Sequence, residues 1–281
     1  MYISNPLLDS LILEDAPYGD LTSSVLGISD QPGEIEYFTR EDCLLSGVEE
    51  AIQMCKKIGL SITEHRKSGD SLAAGESFLC ARGSAQCIHT AWKVCLNMCD
   101  YYSAVATKTN RMVRAAQAEN PHVAVLTTRK GIPSTKPFAT KAARVGGAFP
   151  HRLGLSETIL IFDHHLAFIG GIDALIEKLP EIKAHCCEKK IIIEASLADA
   201  PRLAQAGIDG IQFDKVPAAD LSEMVPRLRG INPAITLLAA GGVNEGNAAS
   251  YAQTGVNGLV TSCLFFVKPI DMSVRIKALS S

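Results

Sequence analysis

Cationic side chains recur within one short stretch of the chain, residues 127–165, at positions that suit the binding of an anion. Arg129 and Lys130 form one pair, and His151 and Arg152 form a second. An apolar, strand-like run leads directly into the segment, so the first pair stands at the end of a predicted strand. The planar guanidinium of arginine suits a carboxylate or a phosphate in a bidentate pair. The segment therefore predicts a site for an anionic ligand.

Carboxylates and small residues end later strand-like runs. Glu194 and Asp214 follow successive predicted strands. Such a pair suits Mg²⁺, which binds few protein oxygens and keeps water and substrate phosphate as its other ligands. Near the end of the chain, glycines let backbone N–H groups approach an anion, and the N-terminus of the following helix favours negative charge. The residues predicted to form this phosphate site are Gly241, Gly242, Thr261 and Ser262.

Strand-like and helix-like segments alternate from residue 123 onward, and they must position these polar groups. Six apolar runs (VAVL, TILIF, KIIIE, DGIQF, ITLLAA and NGLV) each end in polar or glycine residues and alternate with helical patterns. This alternation predicts an α/β fold with parallel strands, whose chemistry lies at the C-terminal ends of the strands. The preceding segment predicts an α+β domain that ends in a long helix. The predicted limits are an N-terminal domain over 1–110, an α/β domain over 111–265 and a C-terminal tail over 266–281.

Composition narrows the class of protein. The chain has 281 residues, 47% of them hydrophobic, and a formal net charge of -3, which gives no sign of nucleic-acid binding. It contains no apolar run of the roughly 20 residues that a membrane helix needs, and its N-terminal residues lack the features of a signal peptide. We therefore expect a cytoplasmic protein. Nine cysteines without disulfide-like spacing predict buried free thiols rather than a metal site.

Each candidate residue also has a purely structural interpretation. Arg129–Lys130 can be a solvated loop, and His151–Arg152 can cap a turn. Glu194 or Asp214 can pair with a neighbouring lysine such as Lys215. The joint arrangement of cations, two carboxylates and a phosphate site is harder to explain in this way than any single member. It indicates a ligand that carries both phosphates and a sugar, and hence phosphoribosyl transfer.

Several motifs occur in an order that is typical of a known family. They are EDAPYGDLTS, LNMCDYYSAVAT, TRK, HRLGL, LIFDHH, AAGGVN and YAQTGVNGLV. This order resembles the quinolinate phosphoribosyltransferases (nicotinate-nucleotide pyrophosphorylases, carboxylating), and most of all their ModD branch, which is linked to molybdate-transport operons. The resemblance covers nearly the whole chain. It implies an N-terminal α+β sandwich-like domain, a C-terminal incomplete (β/α) barrel, and a tail that packs on the first domain.

The resemblance also implies roles for individual residues. Arg129, His151 and Arg152 would bind the carboxylate of the acceptor, and Lys130 would contact phosphoribosyl pyrophosphate (PRPP). Glu194 and Asp214 would hold Mg²⁺ or the ribose hydroxyls. The residues that would line the phosphate site are Gly241, Gly242, Thr261 and Ser262. The implied assembly is a homodimer or a larger homo-oligomer, in which the first domain of one subunit closes the barrel of another.

The sequence departs from the family pattern at the acceptor side. The position of the family's trans-acting arginine is Lys93, and the position of a family lysine is Phe162. The final-strand region that carries a histidine in the family reads 264–266, Leu-Phe-Phe, and Glu194 aligns only to within one residue. Loss of a cation to an aromatic ring weakens the binding of a dicarboxylate. The phosphoribosyl half of the pattern is therefore kept, whereas the acceptor half is altered.

Three functions are compatible with these observations. The first is a Mg²⁺-dependent phosphoribosyltransferase that joins PRPP to a ring nitrogen of an aromatic carboxylic acid other than quinolinate. The second is an authentic quinolinate phosphoribosyltransferase of NAD biosynthesis, which forms nicotinate mononucleotide. The third is a non-catalytic barrel that binds a phosphorylated ligand in molybdate handling.

Overall fold

A computed structural model describes residues 1–280, which form two compact units. Unit 1 contains Met1–Asn110, Ile132–Gly146 and the residues from Phe265 onward, and unit 2 contains Arg111–Gly131 and Gly147–Leu264. The division differs from the predicted domain limits in the placement of residues 132–146, which belong to unit 1. The sequence gives no local signal for this placement, because it depends on long-range ion pairs described below.

The elements are numbered in chain order. The helices are α1 (Asn5–Asp15), α2 (Leu21–Val25), α3 (Val48–Ile58), α4 (Ala85–Glu119), α5 (Lys136–Val145), α6 (Asp163–Ile169), α7 (Ile172–His185), α8 (Ala200–Gln205), α9 (Ala218–Ile231) and α10 (Ala248–Gln253). The strands are β1 (Pro32–Thr39), β2 (Cys43–Leu44), β3 (Ser61–His65), β4 (Ser71–Leu72), β5 (Ser77–Ser84), β6 (Ala124–Thr127), β7 (Phe149–Pro150), β8 (Ile159–Ile161), β9 (Ile191–Glu194), β10 (Gly210–Asp214), β11 (Thr236–Ala240), β12 (Gly258–Thr261) and β13 (Met272–Ala278).

Unit 1 is built on a four-stranded antiparallel sheet in the order β13-β1-β5-β3. Buried residues alternate along β1, with Ile35, Tyr37 and Thr39 on the covered face, as the two-residue period of a strand requires. The C-terminal strand β13 pairs with β1 along its whole length. The sheet is therefore completed by residues from opposite ends of the chain.

Lys141 attaches α5 to α3 within unit 1. Its ammonium donates hydrogen bonds to Glu49 Oε2 at 2.8 Å and to both carboxylate oxygens of Glu50 at 2.8 and 2.7 Å. Glu50 is 3% exposed. Backbone and hydroxyl groups of Ser68 also donate to Glu49. These contacts explain why residues 132–146 belong to unit 1.

Unit 2 contains a seven-stranded sheet in the order β7-β6-β12-β11-β10-β9-β8, and every neighbouring pair is parallel. The two edge strands, β7 and β8, are consecutive in the chain but do not pair, so the sheet is an open half-barrel. This confirms the predicted fold class. The two-residue strand β7 is a seventh strand that the alternating pattern did not predict.

The interior of the half-barrel is apolar. Its buried cluster and the partly buried residues that pack against it are Leu160, Ile192, Leu238, Ala240, Val260, Leu126 and Phe162. Strand β9 is buried on both faces, which is expected of a parallel strand covered by helices. Charged groups are therefore confined to the ends of these strands.

The cysteines are free thiols, as predicted, but only Cys43, Cys55, Cys95 and Cys99 are buried, and Cys187 is exposed. Cys55 and Cys95 lie 3.7 Å apart (Sγ to Sγ) in the interior of unit 1, where their mutual hydrogen bond and burial raise the pKa of Cys95. They are packed thiols, as expected. Across residues 1–280, no helix combines the length and apolar character that crossing a membrane would require.

Candidate active site

A cavity of about 800 Å³ opens at the C-terminal ends of the strands of unit 2. Each strand of the half-barrel contributes residues to its wall at the point where the strand ends. The predicted site residues that line it are Arg129, Lys130, His151, Arg152, Phe162, Glu194, Asp214, Gly241, Gly242, Thr261 and Ser262. Lys93 belongs to α4 in unit 1, where its ammonium lies 5.8 Å from the centroid of the Trp92 ring.

Two guanidinium groups in the cavity lack a counter-charge. Arg129 follows β6 and Arg152 follows β7. No carboxylate among residues 1–280 pairs with either of them. Burial lowers the pKa of Arg152 and the charge of Arg129 lowers it further, although an arginine stays protonated in such a site. Two neighbouring positive charges without a carboxylate partner make this part of the cavity favourable for an anion.

A hydrogen-bond chain connects His151 to Glu194. The amide of Gln212 lies between them, with Oε1 3.0 Å from His151 Nε2 and Nε2 2.8 Å from Glu194 Oε2. Burial lowers the pKa of His151, and Arg152 adds to that effect, while hydrogen bonds to Gln212 and to its own backbone oppose it. His151 is therefore neutral near pH 7, unlike the two arginines.

Asp214 and Gly241 approach each other closely at the ends of β10 and β11. Gly241 has φ +77°, and a Cβ at this position would collide with Asp214 Oδ1 and with the backbone nitrogen of Lys215. Lys215 itself has φ +57°, which is uncommon for a residue with a side chain, and its N–H donates to Ala240 O at 2.8 Å. Only glycine fits at 241 without displacing the Asp214 carboxylate.

The loop after β11 is fixed by side-chain amides. The amide groups of Asn244 and Asn247 both donate to Gly242 O, at 2.9 and 3.1 Å. The hydroxyl of buried Thr261 donates to Val243 O at 2.6 Å and accepts from Cys263 N at 3.1 Å. Thr261 therefore shapes this wall rather than offering a free hydroxyl.

Phe162 forms an apolar part of the wall. It is half-buried, immediately precedes α6, and packs against the apolar cluster of the half-barrel. The His165 ring stacks on it, with centroids 5.9 Å apart and planes at 24°, and the Phe162 backbone N–H donates to His165 Nδ1 at 3.0 Å. The position that carries a lysine in the family pattern is thus occupied by two stacked rings.

The two carboxylates do not form a complete metal site by themselves. Within residues 1–280, no group of three or more His, Cys, Asp or Glu side chains is arranged to hold a metal ion. Glu194 accepts one hydrogen bond through Oε2, and the Asp214 carboxylate lies 4.0 Å from the ammonium of Lys215. Two acidic groups on adjacent strands match the small protein contribution that Mg²⁺ takes when substrate phosphates complete its shell.

Comparison with known proteins identifies the class and then the family. Residues 20–103 match the family model described as quinolinate phosphoribosyl transferase, N-terminal domain, and residues 105–275 match that of its C-terminal domain. The class defined by the half-barrel and its cavity is therefore that of the phosphoribosyltransferases, which are pentosyl-transferring enzymes. The chain belongs to the quinolinate phosphoribosyl transferase family.

Individual relatives agree with this assignment. The chain is 37% identical to the Rhodobacter capsulatus protein named "Putative pyrophosphorylase ModD", over 90% of this chain and 97% of that one. It is 29% identical to a Methanothermobacter thermautotrophicus protein named "Probable nicotinate-nucleotide pyrophosphorylase (carboxylating)", over 97% and 99%. The solved nicotinate-nucleotide pyrophosphorylase of Francisella tularensis superposes with a TM-score of 0.88 at 25% identity, covering 98% of each chain.

Gln212 is the site residue that the sequence analysis missed. It lies in the apolar run DGIQF, two residues before Asp214, and is 5% exposed. Residues two apart on a strand share a face, so a polar side chain at this position was a signal of the cavity. Its partners are not apparent from the sequence, because they come from β9 and from the residue after β7.

Proposed function

We propose that this phosphoribosyltransferase is Mg²⁺-dependent and joins PRPP to a ring nitrogen of an aromatic carboxylic acid other than quinolinate. The observation that carries the proposal is the pair of unpaired guanidiniums, Arg129 and Arg152, in a cavity that also contains an apolar aromatic wall at Phe162. The cations suit one carboxylate. The aromatic wall suits the face of a ring and disfavours a second carboxylate, since it offers that group no hydrogen-bond donor.

The donor half of the site is proposed at the glycine-containing wall. Gly241 and Gly242 let backbone groups approach the phosphates, and Lys130 and Ser262 supply polar contacts in the same cavity. Lys130 is exposed, and its backbone N–H donates to Thr128 Oγ1 at 3.1 Å, which fixes the backbone from which its side chain extends. In the proposed reaction the C1–O bond to pyrophosphate breaks, the leaving group takes the electron pair, and the acceptor nitrogen bonds to C1.

Glu194 and Asp214 are the residues proposed to hold Mg²⁺ or the ribose hydroxyls. Both line the cavity, and no other group in residues 1–280 hydrogen-bonds to the second oxygen of Glu194. When bound, Mg²⁺ supplies positive charge that stabilises the departing pyrophosphate. The chain's own contribution is that Gln212 donates a hydrogen bond to Glu194 and that glycine at 241 leaves room for the Asp214 carboxylate.

Calorimetry and turnover assays test the two halves separately. PRPP should bind in the presence of Mg²⁺ and bind more weakly with EDTA; absence of PRPP binding would refute the donor assignment. A panel of aromatic monocarboxylates with a ring nitrogen should be turned over faster than quinolinate. Binding of PRPP without turnover of any acid would instead favour a non-catalytic binding role.

Authentic quinolinate phosphoribosyl transfer is the second candidate. It is favoured by the relatives named nicotinate-nucleotide pyrophosphorylase, whose fold and length this chain shares. Appreciable turnover of quinolinate by the native enzyme would support it. The variant Phe162→Lys, compared with Phe162→Leu as a control for loss of the ring, should raise quinolinate turnover about tenfold if the missing cation limits dicarboxylate binding.

Further expectations rest on the family resemblance. They are a homodimer or larger homo-oligomer, a cytoplasmic location, a link to molybdate handling, and a contribution of Lys93 to the site of another subunit. Size-exclusion chromatography with light scattering checks the first. The Lys93 expectation is tested by mixing Lys93→Ala subunits with subunits that carry an inactivating substitution at Asp214. Recovery of activity in the mixture would support it.

A further inference from the structure

Gln212 is a buried amide that lines the cavity. It lies on β10 directly opposite Glu194 on β9, so both side chains project to the same face of the sheet. The other residues of β10 before Asp214 are Gly210, Ile211 and Phe213, which are glycine or apolar. Gln212 itself is 5% exposed. Burial of an amide is unfavourable unless its groups are hydrogen-bonded, and both ends of this one are.

The chemistry of Glu194 determines how the amide is oriented. An ionised carboxylate only accepts hydrogen bonds, so the group that faces Glu194 must be the amide nitrogen of Gln212. The amide oxygen therefore faces His151 and accepts a hydrogen bond. Because an amide oxygen cannot donate, His151 Nε2 must carry a hydrogen.

We propose that Gln212 is a positioning residue: its amide, oriented by the hydrogen bond to Glu194, fixes His151 as the Nε2–H tautomer. The proposal rests on the proposed function in one respect: His151 is assigned to the acceptor half of the site and Glu194 to the donor half. Gln212 itself touches neither substrate in this scheme. It aligns Glu194 Oε2 and leaves the other oxygen of that carboxylate for Mg²⁺ or the ribose.

The charges around His151 agree with this role. Arg152 is the charged neighbour that acts directly on the ring, and Glu194 acts on it only through the amide of Gln212. The acceptor half then contains two permanent cations and one neutral ring in a fixed orientation. Such a site carries two positive charges rather than three.

Nitrogen-15 NMR of histidine-labelled enzyme without ligand tests the tautomer. The ring nitrogens of His151, assigned by comparison with His151→Asn, should report Nε2–H in the native enzyme. Gln212→Met keeps the approximate volume but removes both hydrogen bonds, and it should release this preference and lower the pKa of His151 further. Gln253→Met is the matched control, because Gln253 also donates to a glutamate, Glu119, but lines no part of this cavity.

A second variant tests the coupling without altering Gln212. In Glu194→Gln the residue opposite Gln212 can donate as well as accept, so the Gln212 amide is free to turn over and His151 should lose its single tautomer. Glu194 and His151 share no direct hydrogen bond, so a merely structural role of Gln212 would leave the His151 signals unchanged. Unchanged His151 signals in both variants would overturn the proposal.

Ligand binding separates this proposal from the proposed function. Gln212→Met should weaken PRPP binding with Mg²⁺ about tenfold, because Glu194 loses its orienting donor. Gln253→Met should not. If the native enzyme fails to bind PRPP, the donor assignment fails, whereas the tautomer measurement still decides the role of Gln212. If the NMR effects occur and PRPP affinity is unchanged, the link from Gln212 to the donor half is wrong.

Discussion

Two groups of charged residues in this chain contrast in how their charges are balanced. In unit 1, Lys141 is largely buried and donates three hydrogen bonds to Glu49 and Glu50. In unit 2, Arg129 and Arg152 stand in the cavity with no carboxylate partner. The charges of the first group are balanced within the protein, whereas the second group leaves two positive charges in the cavity.

This difference separates a structural role from a binding role. A buried ion pair adds little stability by itself, but removal of one partner leaves an unpaired buried charge, which is strongly unfavourable. An unpaired cation in an open cavity contributes nothing favourable to folding, and its neighbour repels it. Substitution should therefore affect stability in the first group and affinity in the second.

The largest effect is expected for Lys141→Met. This change leaves Glu50, which is 3% exposed, without its cation and should lower the free energy of unfolding by about 3–5 kcal/mol. Urea denaturation followed by circular dichroism measures it. Lys136→Met is the matched control, since Lys136 lies on the same helix but is exposed. Equal urea midpoints for the two variants would show that the Lys141 ion pairs do not stabilise unit 1.

A smaller effect, on ligand affinity rather than on stability, is expected for Arg152→Leu. Removal of one of two repelling cations should leave the free energy of unfolding unchanged or slightly raised. Affinity for the best-bound aromatic carboxylate of the panel should fall about 10- to 100-fold, because a charge-assisted hydrogen bond is lost. Calorimetry measures it at low salt. Arg227→Leu on α9 is the control, since Arg227 is exposed and does not line the cavity. A large loss of stability in Arg152→Leu would show that this cavity cation stabilises the fold, as Lys141 is expected to do.

The sequence predicted the charged residues of the cavity in unit 2 better than the ion pairs of Lys141 in unit 1. Arg129 follows a predicted strand, and the C-terminal ends of parallel strands meet at one edge, so the pattern placed Arg129 at that edge. Arg152 follows β7, which the pattern did not predict. The same logic predicted Glu194 and Asp214 as neighbours. Parallel strand–helix alternation is local information, which is why the fold class was predicted correctly.

Contacts between distant segments were not predictable in this way. Lys141 and Glu50 are 91 residues apart, and Gln212 and His151 are 61 residues apart. Neither pair has a periodic signal, because each depends on how whole elements pack. Strand β7 was missed for another reason: two residues are too few to show alternation. The sequence therefore predicts which residues meet at a strand end, but not which side chains hydrogen-bond there.

The smallest effect concerns acid stability. Burial raises the pKa of Glu49, but hydrogen bonds from Lys141 and Ser68 outweigh it and lower this pKa to about 2, from an ordinary value of 4.5. A carboxylate with a lowered pKa stabilises the folded state fully above its unfolded value. That stability is lost as the pH falls from about 4.5 toward 2. The Glu49 side chain is 40% exposed, so solvent screening limits its contribution to about 1 kcal/mol.

Glu49→Gln should therefore lower the free energy of unfolding at pH 7 by that amount and reduce its dependence on pH between 4.5 and 2. Urea denaturation at a series of pH values measures both. Glu223→Gln on α9 serves as control, since Glu223 is exposed and forms no ion pair among residues 1–280. The cavity offers no comparable acid beside its arginines, so Arg152→Leu should leave the acid dependence of unfolding unchanged. If Arg152→Leu altered that dependence as much as Glu49→Gln does, the cavity cations would have a carboxylate partner after all, and the contrast between the two groups would fail.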